Sequence, residues 1–199
     1  MKTIGLTGGI ASGKSSVARI LGHIPHIDAD QISREVVAPG SDGLRLVREA
    51  FGEEVMGADG QLNRPFLRRL IANDEAARQR LNGILHPIIQ NTILTRVSQL
   101  RQQGESACLV SAALMMETGS YRRYDAVMLV TAPIEARLKR LLERDAMDED
   151  SARKLIASQW PDDRRRPLAD VEIRNDGDWN TLQARTRAAA RELGLEFPS

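Results

Sequence analysis

Residues 4 to 16 of the chain read Ile4-Gly5-Leu6-Thr7-Gly8-Gly9-Ile10-Ala11-Ser12-Gly13-Lys14-Ser15-Ser16. From Gly8 to Ser15 this stretch has the pattern G-x-x-x-x-G-K-S, which is typical of a phosphate-binding loop. Its glycines permit backbone conformations in which successive N–H groups point at phosphate oxygens. Lys14 supplies an ammonium group for the β- and γ-phosphates, and the Ser15 hydroxyl can ligate a Mg²⁺ ion that bridges them.

The segments on either side of this loop fit the motif. Lys2–Thr7 is short and rich in β-forming residues, which predicts a buried first strand. After the loop, apolar residues at helical spacing predict a helix that starts at about Lys14 and directs its positive dipole end at the same anion. A glycine-rich turn that matched by chance would not explain this order of strand, loop and helix. We therefore expect the chain to bind a nucleoside triphosphate.

Composition limits the class of protein. The 199 residues suffice for one α/β domain with insertions. The net charge of +1 gives no support to a general nucleic-acid or membrane-surface role. No apolar run reaches membrane-spanning length and the N-terminus does not read as a secretory signal, so we expect a cytoplasmic protein without a nucleic-acid or membrane partner. The single cysteine, Cys108, cannot form an internal disulfide and is interpreted as a buried thiol.

Two aspartates, Asp28 and Asp30, lie at the end of the predicted second strand, residues 26–28, and just after it. Asp30 leads into a helix predicted over residues 31–37, where it fits an N-cap. It also fits a functional role, because the carboxyl ends of parallel strands meet at the bound ligand, where a carboxylate acts as a base or positions a metal. Asp28, at the end of the same strand, has the same two interpretations.

Residues 39–104 read mostly as helices, with a proline in the first turn of one helix at Pro65 and an apolar face interrupted by Pro87. This segment is larger than a crossover helix and predicts an inserted helical subdomain that holds a second substrate. His86 lies in it, and a lone histidine there has both a structural and a catalytic interpretation.

Two further buried strands are predicted at residues 106–111 and Ala126–Thr131, and a last one at residues 171–173. Between the last two lies a helical hairpin rich in arginine, including Arg137, Arg140 and Arg144. Such charge usually marks a solvated helix face. In a phosphotransferase it also serves as a lid that closes over the triphosphate and stabilises transition-state charge.

Further short patterns accompany the loop in order along the chain. They are D-A-D at residues 28–30, V-V-x-P-G at 36–40, L-H-P at 85–87, K-R-L-x-x-R-D at 139–145, and A-D followed by I-x-N at 169–175. With the loop, they resemble the dephospho-coenzyme A kinase family of P-loop kinases over nearly the whole chain. The resemblance implies a three-layer α/β P-loop fold with a five-stranded parallel sheet. Its core would be residues 1–37, 105–136 and 168–199, with an acceptor-binding insertion at 38–104 and a lid at 137–167.

The resemblance also implies an activity, the ATP-dependent phosphorylation of the ribose 3′-hydroxyl of dephospho-coenzyme A, which is the last step of coenzyme A biosynthesis. Mg²⁺ would accompany ATP, held in part by Ser15. The catalytic residues would be Asp30, Lys14 and Arg140. The acceptor-binding residues would be Asp30, His86 and Glu117. The ATP-binding residues would be Gly9, Ile10, Ala11, Ser12, Gly13, Lys14, Ser15, Ser16, Arg140, Arg144 and Asn175.

The chain departs from the family pattern at three positions. Ala11 stands where glycine is common and is tolerated if its φ is negative. Ala113 replaces a proline, and Arg174 replaces an acidic residue. Alternative functions are a related kinase for another small hydroxyl acceptor and a nucleotide-dependent switch, although the guanine-reading pattern N-K-x-D is missing. The sequence leaves the oligomeric state open, a monomer included.

Overall fold

The chain folds into two compact units. The computed structural model describes residues 1–145 and 147–196. The first unit consists of Met1–Asp28 and Leu100–Ser199, and the second of Ala29–Gln99. Within the described ranges, no helix combines the length and the apolar composition that crossing a bilayer needs.

A five-stranded sheet forms the centre of the first unit. Its strands are β1 (Lys2–Thr7), β2 (His26–Asp28), β3 (Ala107–Ser111), β4 (Ala126–Thr131) and β5 (Val171–Arg174). Their order in the sheet is β2-β3-β1-β4-β5, and every neighbouring pair is parallel. All residues of β3 and β4 are buried, as expected for strands covered on both faces. The predicted five-stranded parallel sheet is confirmed.

Apolar side chains cover both faces of this sheet. Met128 of β4 lies in one cluster with Val17 and Leu182, which belong to helices α1 (Lys14–Ile20) and α9 (Trp179–Glu192). Its neighbour Val127 lies in a different cluster with Met115 and residues near position 160. Because successive side chains of a strand point to opposite faces, these clusters are two layers on either side of the sheet.

Between β4 and β5 the chain forms α6 (Ile134–Asp145), α7 (Glu149–Ala157) and α8 (Asp162–Arg165). We call residues 134–165 the arginine hairpin. Leu138 and Leu141 of α6 pack against Ala152 and Ile156 of α7, so the two helices share a small apolar core. The predicted hairpin is therefore two packed helices followed by a short third one.

The second unit is helical. Its helices are α2 (Ala29–Glu35), α3 (Asp42–Phe51), α4 (Arg64–Asn73) and α5 (Glu75–Gln102), the last of which extends beyond the unit. They enclose an apolar cluster of their own around Val47, Val55, Leu67 and Leu81. Most of the predicted insertion, residues 38–104, lies in this unit.

Two predictions for the second unit are wrong. Helix α2 begins at Ala29, directly after β2, so Asp30 lies in the first turn and is not an N-cap. Pro87 does not interrupt the helical pattern, since α5 runs through it. A proline removes one main-chain hydrogen bond, here the bond to the carbonyl of Gly83. The remaining turns on both sides of Pro87 are enough to keep the helix continuous.

Candidate active site

The phosphate loop leaves the carboxyl end of β1 and runs directly into α1. Gly13 precedes the helix at a φ of 106°, a conformation that favours glycine, and its carbonyl accepts hydrogen bonds from Ser16 and Val17 at 3.0 and 3.1 Å. The N–H groups of Lys14 and Ser15 are the first of the helix and lie at its positive dipole end. The helix therefore presents these donors, with its positive dipole end, toward the loop.

The outer part of the loop is a tight turn. The N–H of Ser12 donates to the carbonyl of Gly9 at 3.1 Å, and between them Ala11 has a φ of 57°. Among the described residues, Ala11 is the one non-glycine with a positive φ. A positive φ at the third residue, together with a second residue, Ile10, whose φ is not positive, is typical of a type II turn, in which glycine usually occupies the third position. We expected from the sequence that Ala11 is tolerated if its φ is negative, and this condition is not met. An L-residue in the left-handed region destabilises the fold by roughly 1–2 kcal/mol.

Three consecutive carbonyls of this loop are held from outside. Nε of Arg137 donates to the Ile10 carbonyl at 2.9 Å, Nη1 of Arg140 to the Ala11 carbonyl at 3.1 Å, and Nδ2 of Asn175 to the Ser12 carbonyl at 2.8 Å. In a trans peptide the C=O and the following N–H point in opposite directions. The N–H groups of Ala11 and Gly13 therefore point away from these side chains and toward the inside of the loop. This arrangement is a nest suited to phosphate oxygens.

The same side chains explain two of the loop glycines. A Cβ on Gly9 would collide with the guanidinium of Arg137, and a Cβ on Gly13 would collide with the amide of Asn175. Arg137 and Asn175 are both buried. The loop is therefore packed against α6 and the end of β5, and any side chain at Gly9 or Gly13 would displace it.

Lys14 adds a cation to the loop. Its Nζ donates to the Gly8 carbonyl at 2.8 Å and lies 3.5 Å from the Gly9 carbonyl. The ammonium group thus lies beside the first residues of the loop, as a phosphate-binding lysine requires.

A cluster of buried charges lies behind Arg137. Arg165 is fully buried, and its guanidinium donates to Glu117 Oε1 at 2.5 Å, while Asp162 lies 3.7 Å away. Burial lowers the pKa of the Arg137 guanidinium, and the nearby carboxylate of Asp162 opposes this shift. Burial also raises the pKa of Asp162, against the influence of Arg137 and Arg165. Two buried cations and two partly exposed carboxylates therefore balance one another.

Some of the predicted site residues lie together at the phosphate loop, and others form ion pairs away from it. Arg140 and Asn175 lie against the loop. Glu117 is bonded to Arg165 and also accepts from the N–H of Trp160 at 3.2 Å. Arg144, on α6 beyond Arg140, makes two 2.6 Å hydrogen bonds to Asp145.

The remaining predicted residues are placed by their helices. Ser15 and Ser16 lie in the first turn of α1, where Ser15 is exposed. Asp30 and His86 are exposed residues of the second unit, in the first turn of α2 and within α5.

Two residues at the loop were not assigned a role from the sequence. Arg137 was named only as one of the hairpin arginines, yet it lies one helical turn before Arg140, so its position on the same helix face indicated a shared target. Gln159 Oε1 accepts from the N–H of Ile10 at 2.7 Å. Nothing in the sequence around Gln159 indicates this contact, because it joins residues far apart in the chain.

A second polar group lies on the neighbouring strands β2 and β3. Nε2 of His26 lies 2.8 Å from Oγ of Ser111, whose register partner in β2 is Asp28. Burial lowers the pKa of His26, opposed by the charge of Asp28.

No group of three or more histidine, cysteine, aspartate and glutamate side chains that could hold a metal occurs in the part of the chain that the structure describes. The exposed hydroxyl of Ser15 fits a Mg²⁺ ion that takes most of its ligands from phosphate oxygens and water, as this ion commonly does.

The comparisons with known proteins agree with the family resemblance of the sequence motifs. The family model described as "Dephospho-CoA kinase" matches residues 2–181. A dephospho-CoA kinase of Moorella thermoacetica is 44% identical over 196 residues, which cover 97% of this chain and 92% of that protein.

Solved structures share the fold. A crystal structure of a Thermus thermophilus protein superposes with a TM-score of 0.78 at 27% identity, covering 96% of this chain and 97% of that one. A dephospho-CoA kinase from Campylobacter jejuni has a TM-score of 0.71 at 23% identity, covering 96% of each chain. At that identity the second likeness concerns the fold alone.

Proposed function

The chain belongs to the dephospho-CoA kinase family, and we propose that it transfers the γ-phosphoryl group of ATP to the ribose 3′-hydroxyl of dephospho-CoA, giving CoA and ADP. The observation that best supports phosphoryl transfer is the outward anchoring of the Ile10, Ala11 and Ser12 carbonyls, which leaves inward N–H donors for an anion. Phosphoryl transfer depends on positioning and charge stabilisation, and this loop is built for both.

The ATP-binding residues are proposed to act in two ways. Lys14 and the inward N–H groups bind phosphate oxygens directly. Arg140 and Asn175 hold the loop carbonyls, so their contribution includes the shape of the loop as well as any direct contact with nucleotide. The guanidinium of Arg140 also adds positive charge beside the loop, which favours the charge that develops on the transferring group.

Asp30 is proposed as the group that accepts or orients the acceptor hydroxyl proton. This proposal rests on the D-A-D pattern and on its position two residues after the end of β2. Carboxyl ends of parallel strands meet at the ligand. The exposed carboxylate in the first turn of α2 is accessible to a substrate hydroxyl.

The second unit is proposed to hold the acceptor, with His86 among its contacts. Glu117 is the other proposed contact, and its Oε1 is already bonded to Arg165. Its Oε2 is buried and makes no hydrogen bond with the described protein atoms. Oε2 is therefore the oxygen left for the acceptor, and a contact with it requires a rearrangement that uncovers this atom.

Mg²⁺ is proposed to accompany ATP, with the hydroxyl of Ser15 as one ligand, and the bound ion would neutralise charge on the phosphates. Ser15 is suited to this because it is exposed in the first turn of α1, next to the N–H donors of the loop.

The test is ADP release from purified protein with Mg·ATP, with and without dephospho-CoA, with the product identified by mass. We expect ADP release that depends on the acceptor and a product of the mass of CoA. ADP release without a phosphorylated acceptor would contradict the proposed function.

Asp30→Asn then tests the base, with Asp42→Asn as its matched control, because Asp42 also lies in the first turn of a helix of the second unit. We expect the Asp30 variant to lose about 100-fold or more in kcat, the usual contribution of a positioned base, with little change in ATP affinity. The control should retain full turnover. Equal kcat in both variants would remove Asp30 from the mechanism.

A further inference from the structure

The peptide between Ile10 and Ala11 is the central peptide of the Gly9–Ser12 turn. Type I and type II turns differ by a rotation of this central peptide plane through about 180°, which exchanges the directions of its C=O and N–H groups. Glycine tolerates the positive φ of a type II turn, whereas other L-residues favour type I at the same position. Ala11 nevertheless adopts the type II conformation, with a φ of 57°. Contacts elsewhere must therefore stabilise this orientation of the peptide.

Two neighbouring side chains of the arginine hairpin bond to the backbone of Ile10. Nε of Arg137 donates to the Ile10 carbonyl at 2.9 Å, and Oε1 of Gln159 accepts from the Ile10 N–H at 2.7 Å. If the peptide flipped, the N–H of Ala11 would replace the Ile10 carbonyl opposite Nε of Arg137. One donor would then face another, and the hydrogen bond would be lost. The contact is therefore compatible with only one of the two orientations.

The side chain of Arg137 is itself fixed. It is 4% exposed, its Nη2 lies 3.5 Å from Gln159 Oε1, and its guanidinium fills the space above Gly9. Asp162 supplies a compensating charge. Arg137 therefore has little freedom to follow a flipped peptide.

We propose that Arg137 and Gln159 are positioning residues that hold the Ile10–Ala11 peptide in the orientation in which the Ala11 N–H faces the phosphates. Arg137 supplies the contact that distinguishes the two orientations, and Gln159 fixes the preceding N–H. They compensate for an alanine at a position where the turn favours glycine. The inference rests on the proposed function only in that the loop binds the phosphates of ATP.

A matched pair of variants separates the donor of Arg137 from its charge. In glutamine, Nε2 follows the same three side-chain carbons as Nε of arginine, so Arg137→Gln keeps an N–H donor at that place and removes the charge. Arg137→Met has similar length and no donor. Both remove a positive charge near Asp162 and are expected to lower the Tm alike, so thermal stability reports the structural role.

Nucleotide affinity reports the positioning role. We expect Arg137→Met to bind the β,γ-imido analogue of ATP, in the presence of Mg²⁺, about 5- to 30-fold more weakly. Without the Arg137 contact, the positive φ of Ala11 is no longer compensated, and only a fraction of the molecules have the peptide in the orientation that binds phosphate. Arg137→Gln should stay within about threefold of the unmodified protein, since its donor is retained. Isothermal calorimetry measures both and needs no turnover.

The decisive variant is Ala11→Gly, which removes the cost of the positive φ. In the Arg137→Met background it is expected to restore affinity to within about threefold of the unmodified protein. Arg153→Met, an exposed arginine of α7 paired with Glu149, is the control and should bind normally.

Three results would overturn the inference: unchanged affinity in Arg137→Met, equal losses in Arg137→Gln and Arg137→Met, or no restoration by Ala11→Gly. The second would assign Arg137 to direct charge attraction of the nucleotide. If the protein bound the analogue normally but did not phosphorylate dephospho-CoA, only the proposed function would be contradicted. The relative affinities of the variants would still test the peptide orientation.

Discussion

The two ends of the arginine hairpin use the same residue types for different purposes. At its base, Arg137, Arg140 and Gln159 bond to the backbone of the phosphate loop, and Arg137 is buried. At its tip, Arg144 pairs with its neighbour Asp145. On α7, Arg153 pairs with Glu149 of the same helix and with Glu135 of α6, and the side chains of the two arginines are 61% and 49% exposed.

This difference shows that the surroundings of an arginine decide its role. Exposed ion pairs contribute roughly 0–1 kcal/mol each and are screened by salt, so the tip gains little from them. Hydrogen bonds of a buried guanidinium to backbone carbonyls fix a conformation. We therefore expect the base of the hairpin to stay packed against the phosphate loop with or without nucleotide, and the tip to form the part of the lid that moves.

Arg140→Met tests the base most severely. Its guanidinium holds the Ala11 carbonyl and lies 3.4 Å from the carbonyls of Ser12 and Asn175, so its removal loosens the loop and takes away a charge. We expect kcat/KM for ATP to fall about 100-fold, as for loss of a preorganised donor. Steady-state kinetics with Arg153→Met as the control measures this. Similar values for the two variants would abolish the distinction between base and tip.

Asn175→Ala tests the support that β5 gives to the same loop. The buried amide is bonded to the Ser12 carbonyl, and without it the Gly13 N–H is less firmly directed. We expect ADP to bind about tenfold more weakly, the cost of one buried hydrogen bond. The control is Asn180→Ala, an exposed position of α9. An unchanged Kd for ADP would show that Arg140 alone holds this part of the loop.

Arg144→Met sharpens the comparison at the tip. The bidentate partner Asp145 raises the pKa of Arg144, and the pair is largely exposed. Its proposed contact with ATP therefore competes with an existing ion pair in water. We expect kcat/KM for ATP to fall by only about threefold, and the difference to shrink as the ionic strength rises. A loss as large as that of Arg140→Met would place Arg144 at the phosphates.

Asp148→Ala addresses the tip through stability. Asp148 caps α7, where hydrogen bonds from the backbone and the hydroxyl of Ser151 lower its pKa. A lowered pKa in the folded state adds stability above the unfolded pKa, and this is lost as the pH falls through the folded pKa. The variant should have a slightly lower Tm at pH 7, and the difference should disappear as the pH falls below about 4. ATP affinity should not change, and a large change would mean that the tip shapes the loop.

Much of the architecture could be predicted because it depends on local patterns. Continuous apolar runs such as Ala126–Thr131 indicated buried strands, and the glycines with Lys14 indicated the loop. The strand boundaries were predicted to within one residue. The apolar spacing after Gly13 placed α1 correctly, since this helix packs on the sheet with the face that the pattern shows.

What could not be predicted depends on contacts between distant parts of the chain. The positive φ of Ala11 follows from a turn held by Arg137 and Gln159, more than 120 residues away. The pairing of Glu117 with Arg165 likewise joins two segments whose local patterns do not refer to each other. Helix α2 continues directly from β2, so the capping pattern at Asp30 placed its start two residues too late.

Hydrogen exchange tests the division of the hairpin most directly. Amide exchange would be measured by mass spectrometry on peptides covering residues 134–142 and 149–157, in the free protein and with Mg²⁺ and the β,γ-imido analogue of ATP. We predict that peptides from 134–142 are protected in both states, whereas those from 149–157 exchange quickly in the free protein and become protected with nucleotide. Equal exchange in the two regions, or protection by nucleotide confined to 134–142, would contradict the account.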